Sequence, residues 1–210
     1  RLLCADVPSR FVDDFLERMD DGYFETFMPE EIAEHLHMSS AIDPEHRTAV
    51  KIEALTDGEF KIVIVGYDYA SGFSILCGLL SAFGLDIRAG DVYSKRDARG
   101  SSGRIVDVFR VALKPGESFA SDRQQEFARE LHALSNLLGN NSLNDARDRL
   151  NRFLIERIEK MGQAFVGLEA PIEFSFDNTS SPAWTLVEIR STDTFGFLFA
   201  ISNALAMRGI

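Results

Sequence analysis

Cysteine, positive charge and long apolar runs are all scarce in this chain, and each scarcity removes a class of function. The two cysteines, Cys4 and Cys77, stand far apart and form no Cys-x-x-Cys pair. Cys77 lies in an apolar helical run, where a thiol serves as a small buried hydrophobe. That usage fits a reducing compartment, and the expected location is the cytoplasm. The net charge is −11. Phosphate backbones need a basic face, so nucleic acid is excluded as the main partner. No apolar run approaches the roughly 20 residues of a membrane span, so no membrane association is expected. No signal peptide is visible, and Arg1 is not a start residue, which suggests a piece of a longer protein.

Catalytic signatures are missing as well. No P-loop, Gly-x-Ser-x-Gly or other nucleophile motif occurs. A nucleotidyltransferase site needs Gly-Ser followed by paired aspartates to hold magnesium. Here Gly100-Ser101 is followed by Asp107-Val108-Phe109, with no second aspartate. A phosphohydrolase site needs clustered His and Asp ligands. His35 and His37 are two apart and point to different sides of a helix. They, His46 and His132 are expected as surface or capping residues. The expectation is a chain with no catalytic centre, no metal and no cofactor of its own. The acidic runs Asp13-Asp14, Asp20-Asp21 and Glu30-Glu31 read as solvated faces and helix starts. Lys95-Arg96 and Arg99 read as a solvated hairpin tip.

The hydrophobic residues, 45% of the chain, carry clear periodicities. Phe11, Phe15 and Met19 predict a helix over 8–20. Pro29 with Glu30 and Glu31 starts another, with Ile32 and Leu36 inward. Strands are predicted at 48–55 and 59–66, joined by an Asp57-Gly58 turn. Ile62-Val63-Ile64-Val65 has no polar position, which suits a central strand covered on both faces. A helix carrying Ile75, Leu76, Leu79, Leu80 and Phe83 follows and stops at Gly84. Strands at 85–94 and 104–113 flank a Gly/Ser-rich turn. Residues 119–162 hold two helices, read as a hairpin with Phe127, Leu131 and Leu134 facing Leu150, Leu154 and Ile158. Ser121 with Gln124 has the capping-box pattern, and Ser142 is a candidate cap for the second helix. Strands at 172–176 and 184–190 and a helix at 196–207 complete the chain. From residue 59 the order is β, α, β, β, α-rich segment, β. That is a ferredoxin-like α+β layout, with helices on one face of an antiparallel sheet.

An internal repeat is the most informative pattern. Tyr67-Asp68-Tyr69-Ala70-Ser71-Gly72-Phe73 and Thr192-Asp193-Thr194-Phe195-Gly196-Phe197 each follow an apolar strand and open an apolar helix. Asp68 precedes Gly84, and Asp193 precedes Gly209, by the same interval. A glycine lets backbone approach a ligand, and a helix N-terminus offers unpaired N–H groups to a carboxylate. An aspartate beside them accepts from an ammonium or amide. The same residues also serve as a plain helix cap and tight turn.

These residues resemble the ACT domain, and most closely the tandem ACT region of bacterial PII uridylyltransferase/uridylyl-removing enzymes. The resemblance is carried by Arg104-Ile-Val-Asp-Val-Phe-Arg-Val111, by Phe176-Asp177-Asn178 with Trp184-Thr-Leu-Val-Glu-Ile189 and Asp193-x-x-Gly196, and by Phe15-Leu16 through Tyr23 to Pro29-Glu30-Glu31-Ile32-Ala33. It implies a βαββαβ ACT module with an added helical hairpin, an N-terminal helical linker and the start of a second module. The implied divisions are a linker at 1–47, a first module at 48–178 with a helical insertion at 119–162, and a truncated second module at 179–210. It implies amino-acid sensing, with glutamine as the expected ligand, and pairing of ACT modules within the chain or in a homodimer. Through the parent nucleotidyltransferase of nitrogen metabolism, it implies the PII signal protein or glutamine synthetase as partner. The implied ligand residues are Asp193, Phe195 and Gly196 in the second copy, and Asp68, Ser71, Gly72 and Asp86 in the first. The family loop often reads Asp-x-Pro-Gly; the first copy has Ala70-Ser71 there, and the second has Phe195 for proline. The family's Gly-Leu-Asn-Ile is Gly84-Leu85-Asp86-Ile87 here, and an acidic Asp86 would repel a ligand carboxylate. An ACT-fold interaction module without ligand is the alternative.

Overall fold

A strand with no polar position needs cover on both faces, and the run Ile62–Val65 sets the architecture accordingly. It forms the middle of β2 (Glu59–Tyr67), with all four side chains buried. In this computed structural model, residues 2–17, 19, 21–94, 103–114, 116–161, 171–182, 184–192 and 194–209 are described. Asp20, the hairpin tip with Lys95, Arg96 and Arg99, Gly100-Ser101, and Asp193 lie outside the described residues.

β2 pairs antiparallel with β1 (Thr48–Ala54) and with β4 (Arg104–Leu113), and β3 (Leu85–Ser94) pairs with β4. The sheet order is β1-β2-β4-β3. Ile62, Ile64, Phe109 and Val111 project into one core. That core is covered by α4 (Gly72–Ala82), α5 (Ser121–Gly139), α6 (Leu143–Met161) and α7 (Phe197–Ala206). Val63, Val65, Val106 and Val108 project into a second core, under α1 (Ser9–Leu16), α2 (Asp21–Thr26) and α3 (Pro29–Ser40). The fold is α+β with a four-stranded antiparallel sheet, the ferredoxin-like ACT-type layout. The hairpin of α5 and α6 buries Phe127, Leu131, Leu134, Leu150 and Leu154 in the first core, while Ile158 is half-buried.

The structure departs from the sequence reading in several places. Helices cover both faces of the sheet, not one, because β2 and β4 present apolar side chains on both. The strand expected at 172–176 does not join this sheet. It is β5 (Glu173–Asp177) and pairs with β6 (Leu186–Arg190) as a separate ribbon. β1 holds the edge beside β2 instead. Only residues 55–58, with a 3-10 turn at Thr56–Gly58, separate the two, so their pairing costs little loop entropy. The helix expected over 8–20 ends at Leu16, and α2 starts afresh at Asp21. Ala120, not Ser121, precedes α5, and Gln124 donates back to the Phe119 carbonyl at 2.8 Å.

His35 is fully buried, not a surface residue. Its Nδ1 shares a 2.8 Å hydrogen bond with the Tyr23 hydroxyl, within an aromatic cluster that includes Phe27 and Tyr93. Burial holds its imidazole down at about 4, so it is neutral. α3 opens as expected, with Pro29 at its first position and Glu31 accepting from the Met28 N–H at 3.0 Å.

Candidate functional site

The repeat extends further in three dimensions than in sequence. Ser71 and Gly196, standing 125 residues apart, both precede a helix with left-handed backbone, at φ 64° and 70°. Gly84 and Gly209, equally spaced, both take positive φ at the far end, 76° and 74°. Each unit also begins with an antiparallel hairpin, β1-β2 or β5-β6. Val187 and Ile189 of β6 stand 125 residues after Ile62 and Ile64 of β2. The left-handed position explains the glycine in the second copy. Serine in the first tolerates the same conformation at some cost in strain.

The two repeat helices pack against each other. Cys77 of α4 and Ser202 of α7, again 125 residues apart, lie within hydrogen-bonding reach. Contact between a residue and its own equivalent is what a twofold relation produces. Close approach depends on Gly78: a Cβ there would sit 2.6 Å from Leu150 Cδ2 and 2.9 Å from Phe199 Cδ2. Burial pushes the Cys77 thiol up to about 12, which makes it an inert core residue.

This packing creates a pocket of about 170 Å³ between the units. One wall is the second copy's loop and helix start: Thr194, Phe195, Gly196 and Phe197. The other is the first copy's Ser81, Leu85, Asp86, Ile87 and Lys114. Of the residues singled out from sequence, Phe195, Gly196 and Asp86 therefore meet across the boundary. Among the described residues nothing lies within 4 Å of where a Gly196 Cβ would stand, so its backbone is open to an incoming group. Asp86 does not present a bare charge: Arg88 pairs with it at 3.0 Å. Arg88 reaches back because it is the extra residue of a β-bulge between Ile87 and Ala89.

The first copy's loop is placed elsewhere. Asp68, Ser71 and Gly72 do not line the pocket. The Asp68 N–H donates to Gly103 O at 2.8 Å, and the Ser71 carbonyl accepts from Ile75 N and Ser74 Oγ. Arg47 Nη1 donates to the hydroxyl of Tyr69, within the loop, at 3.0 Å, and Nη2 to Asn140. Asp107 is buried on β4, and among the described residues its Oδ1 has no hydrogen-bond partner. Burial, then the charge of Asp68, pushes Asp107 up to about 7.

Sequence reasoning missed Lys114 and Ser81. Lys114 has no local motif, and it enters the pocket only because β3 and β4 pair so that Leu85 meets Leu113. Among the described residues no three His, Cys, Asp or Glu side chains form a group that could hold a metal. None of the helices described is long and apolar enough to cross a membrane.

No family model matches the chain. Two curated proteins resemble it, and both are described as bifunctional uridylyltransferase/uridylyl-removing enzymes. That of Rhodospirillum rubrum is 26% identical over 205 residues, covering 96% of this chain and 20% of the enzyme. That of Ruegeria pomeroyi is 26% identical over 143 residues, covering 68% of this chain and 14% of the enzyme. The chain spans about a fifth or less of the length of these relatives, and it is similar to a region of each.

Proposed function

We propose that this chain is the amino-acid-sensing ACT region of a nucleotidyltransferase of nitrogen metabolism, with glutamine as its ligand. The observation that carries this reading is the pocket between the repeat units, which joins Phe195 and Gly196 of one to Asp86 of the other. A pocket of this kind closes only when the two units pair, so a ligand bound there stabilises one relative arrangement of them. At about 170 Å³ it suits a ligand of amino-acid size, well below the ~300 Å³ at which drug-sized sites begin. Asp193 belongs to the same loop and is the expected partner for an ammonium or amide group. The similarity to uridylyltransferase/uridylyl-removing enzymes supports this parent activity, and the ACT-like motifs of the sequence point to the PII signal protein, or glutamine synthetase, as the protein acted on.

Domain boundaries follow the same reading, with a helical linker at 1–47, a first module from 48 and a second reaching 210. Pairing of the modules takes place within the chain, through α4 and α7. The interaction-module reading is favoured for the Asp68 loop, whose Tyr69 is tied to Arg47.

Calorimetric titration with L-glutamine tests the proposal. Saturable heat at millimolar ligand is expected for the chain. Gly196→Asn, which tolerates left-handed backbone while projecting a side chain into the pocket, should weaken binding at least tenfold with the thermal midpoint kept. Absence of heat, or undiminished binding by Gly196→Asn, would leave only the interaction module.

A further inference from the structure

We infer that Lys114 is the residue that selects the ligand of this pocket, and that it does so by pairing with a carboxylate. This rests on the sensing reading above and adds the chemistry of recognition. Among the described residues, the charged ones on the pocket wall are Asp86 and Lys114. They differ in one decisive respect. Asp86 is already neutralised by Arg88 at 3.0 Å. Lys114 is half-buried at the end of β4, and among the described residues its side chain has no hydrogen bond or ion pair.

An ammonium with no partner among the described residues, on a partly desolvated wall, is held at a cost that an incoming anion relieves. The opposite wall points the same way. The helix start at Gly196–Phe197 carries the positive end of the α7 dipole, and the space at Gly196 is open. A carboxylate lodged between Lys114 and this helix start meets positive potential from both repeat units, so its binding draws them together. The Asp86–Arg88 pair then serves the rest of the ligand. A carboxylate in an ion pair still has lone pairs to accept from an ammonium or amide, so the acidic residue does not repel the ligand's anionic end. The class selected is a small zwitterion, carboxylate toward Lys114 and one nitrogen toward Asp86, which leaves a second nitrogen, such as the amide of glutamine, for Asp193. A neutral amide or alcohol of the same size loses its strongest contact.

The test compares L-glutamine with L-glutaminol, in which a hydroxymethyl group replaces the carboxylate, on the 210-residue chain and on Lys114→Met and Lys114→Arg. Far-UV circular dichroism and thermal midpoints establish that each variant folds. The wild type should bind glutamine at least tenfold more tightly than glutaminol. Lys114→Met should weaken glutamine at least tenfold without weakening glutaminol, erasing the discrimination, while Lys114→Arg should keep most of it. Glutamine binding to Lys114→Met at wild-type strength would overturn the role of Lys114 and leave the sensing pocket standing. No binding of glutamine to the wild type would overturn both. Equal binding of glutamine and glutaminol by the wild type would show that the site does not read a carboxylate at all.

Discussion

Asp107 and His35 lie buried on opposite faces of the sheet and pull its stability in opposite directions as pH changes. Asp107 faces Cys77 and Asp68, and its carboxyl is raised from 3.8 to about 7 by burial first and Asp68 second. The folded state holds the proton that the unfolded chain releases, so stability falls as pH rises from about 4 through about 7. A rise of that size corresponds to about 4 kcal/mol at full weight. His35 is surrounded by Lys61, Glu31, Glu34 and Lys51, and burial lowers it from 6.5 to about 4. Here the unfolded chain takes the proton first, so stability is lost as pH falls from 6.5 to about 4. The two slopes nearly cancel between pH 4 and 6.5, and above that window the Asp107 slope remains. Urea unfolding of the wild type should show a shallow plateau and then a decline towards pH 8. Asp107→Asn should instead rise in stability with pH across the window, and exceed the wild type by about 2–4 kcal/mol at pH 8. A variant curve parallel to the wild type would mean that Asp107 is ionised at no cost in the folded state.

At the scale of elements, α4 is the piece on which the others depend. It packs on β3, α5, α6 and α7. Leu154 of α6 belongs to that core. Leu154→Ala should cost about 2–5 kcal/mol in denaturant unfolding, and a loss under ~0.5 kcal/mol would refute the hairpin packing. Gly78 works in the opposite sense, by absence of a side chain. Gly78→Leu has no room against Leu150 and Phe199, so it should pry α7 from α4 and abolish glutamine heat even though leucine is the better helix former. Retained binding by Gly78→Leu would show that the pocket does not depend on the contact of the two helices. The helix spacing of Phe127, Leu131, Leu150 and Leu154 was legible in sequence because periodicity reports which face is apolar. The role of Gly78 was not, since a glycine within a helical pattern says nothing of what comes near it.

Over the whole molecule the two repeat units differ in how far they are covered. The central strands of the first unit's sheet, β2 and β4, are buried on both faces. The β5-β6 ribbon of the second is open, with Phe174, Phe176, Trp184 and Leu186 all more than half exposed. A two-stranded ribbon alone is marginal in water. Backbone amides of β5 and β6 should therefore exchange with solvent at least ~100-fold faster than those of β2, which are buried and paired on both sides. Equal protection would mean that the ribbon is held by contacts beyond its own pairing.

The sequence by itself determined the α+β class, the central strand, the helical hairpin and the repeat, including Gly196 and Gly209. Each follows from local periodicity or from a backbone conformation that one residue type favours. It could not tell which strand would sit beside β2. That edge went to β1, separated from β2 by four residues, because the nearer partner loses less chain entropy. Nor could it show that the two repeat loops have different surroundings: the Phe195–Gly196 loop opens onto a pocket, while Tyr69 of the other is tied down by Arg47. Asp86 looked repulsive in sequence and is neutralised in the fold, because a bulge at Arg88 brings a guanidinium to its side. Charge at a site is a sum over neighbours in space, and only the tertiary structure decides who those neighbours are.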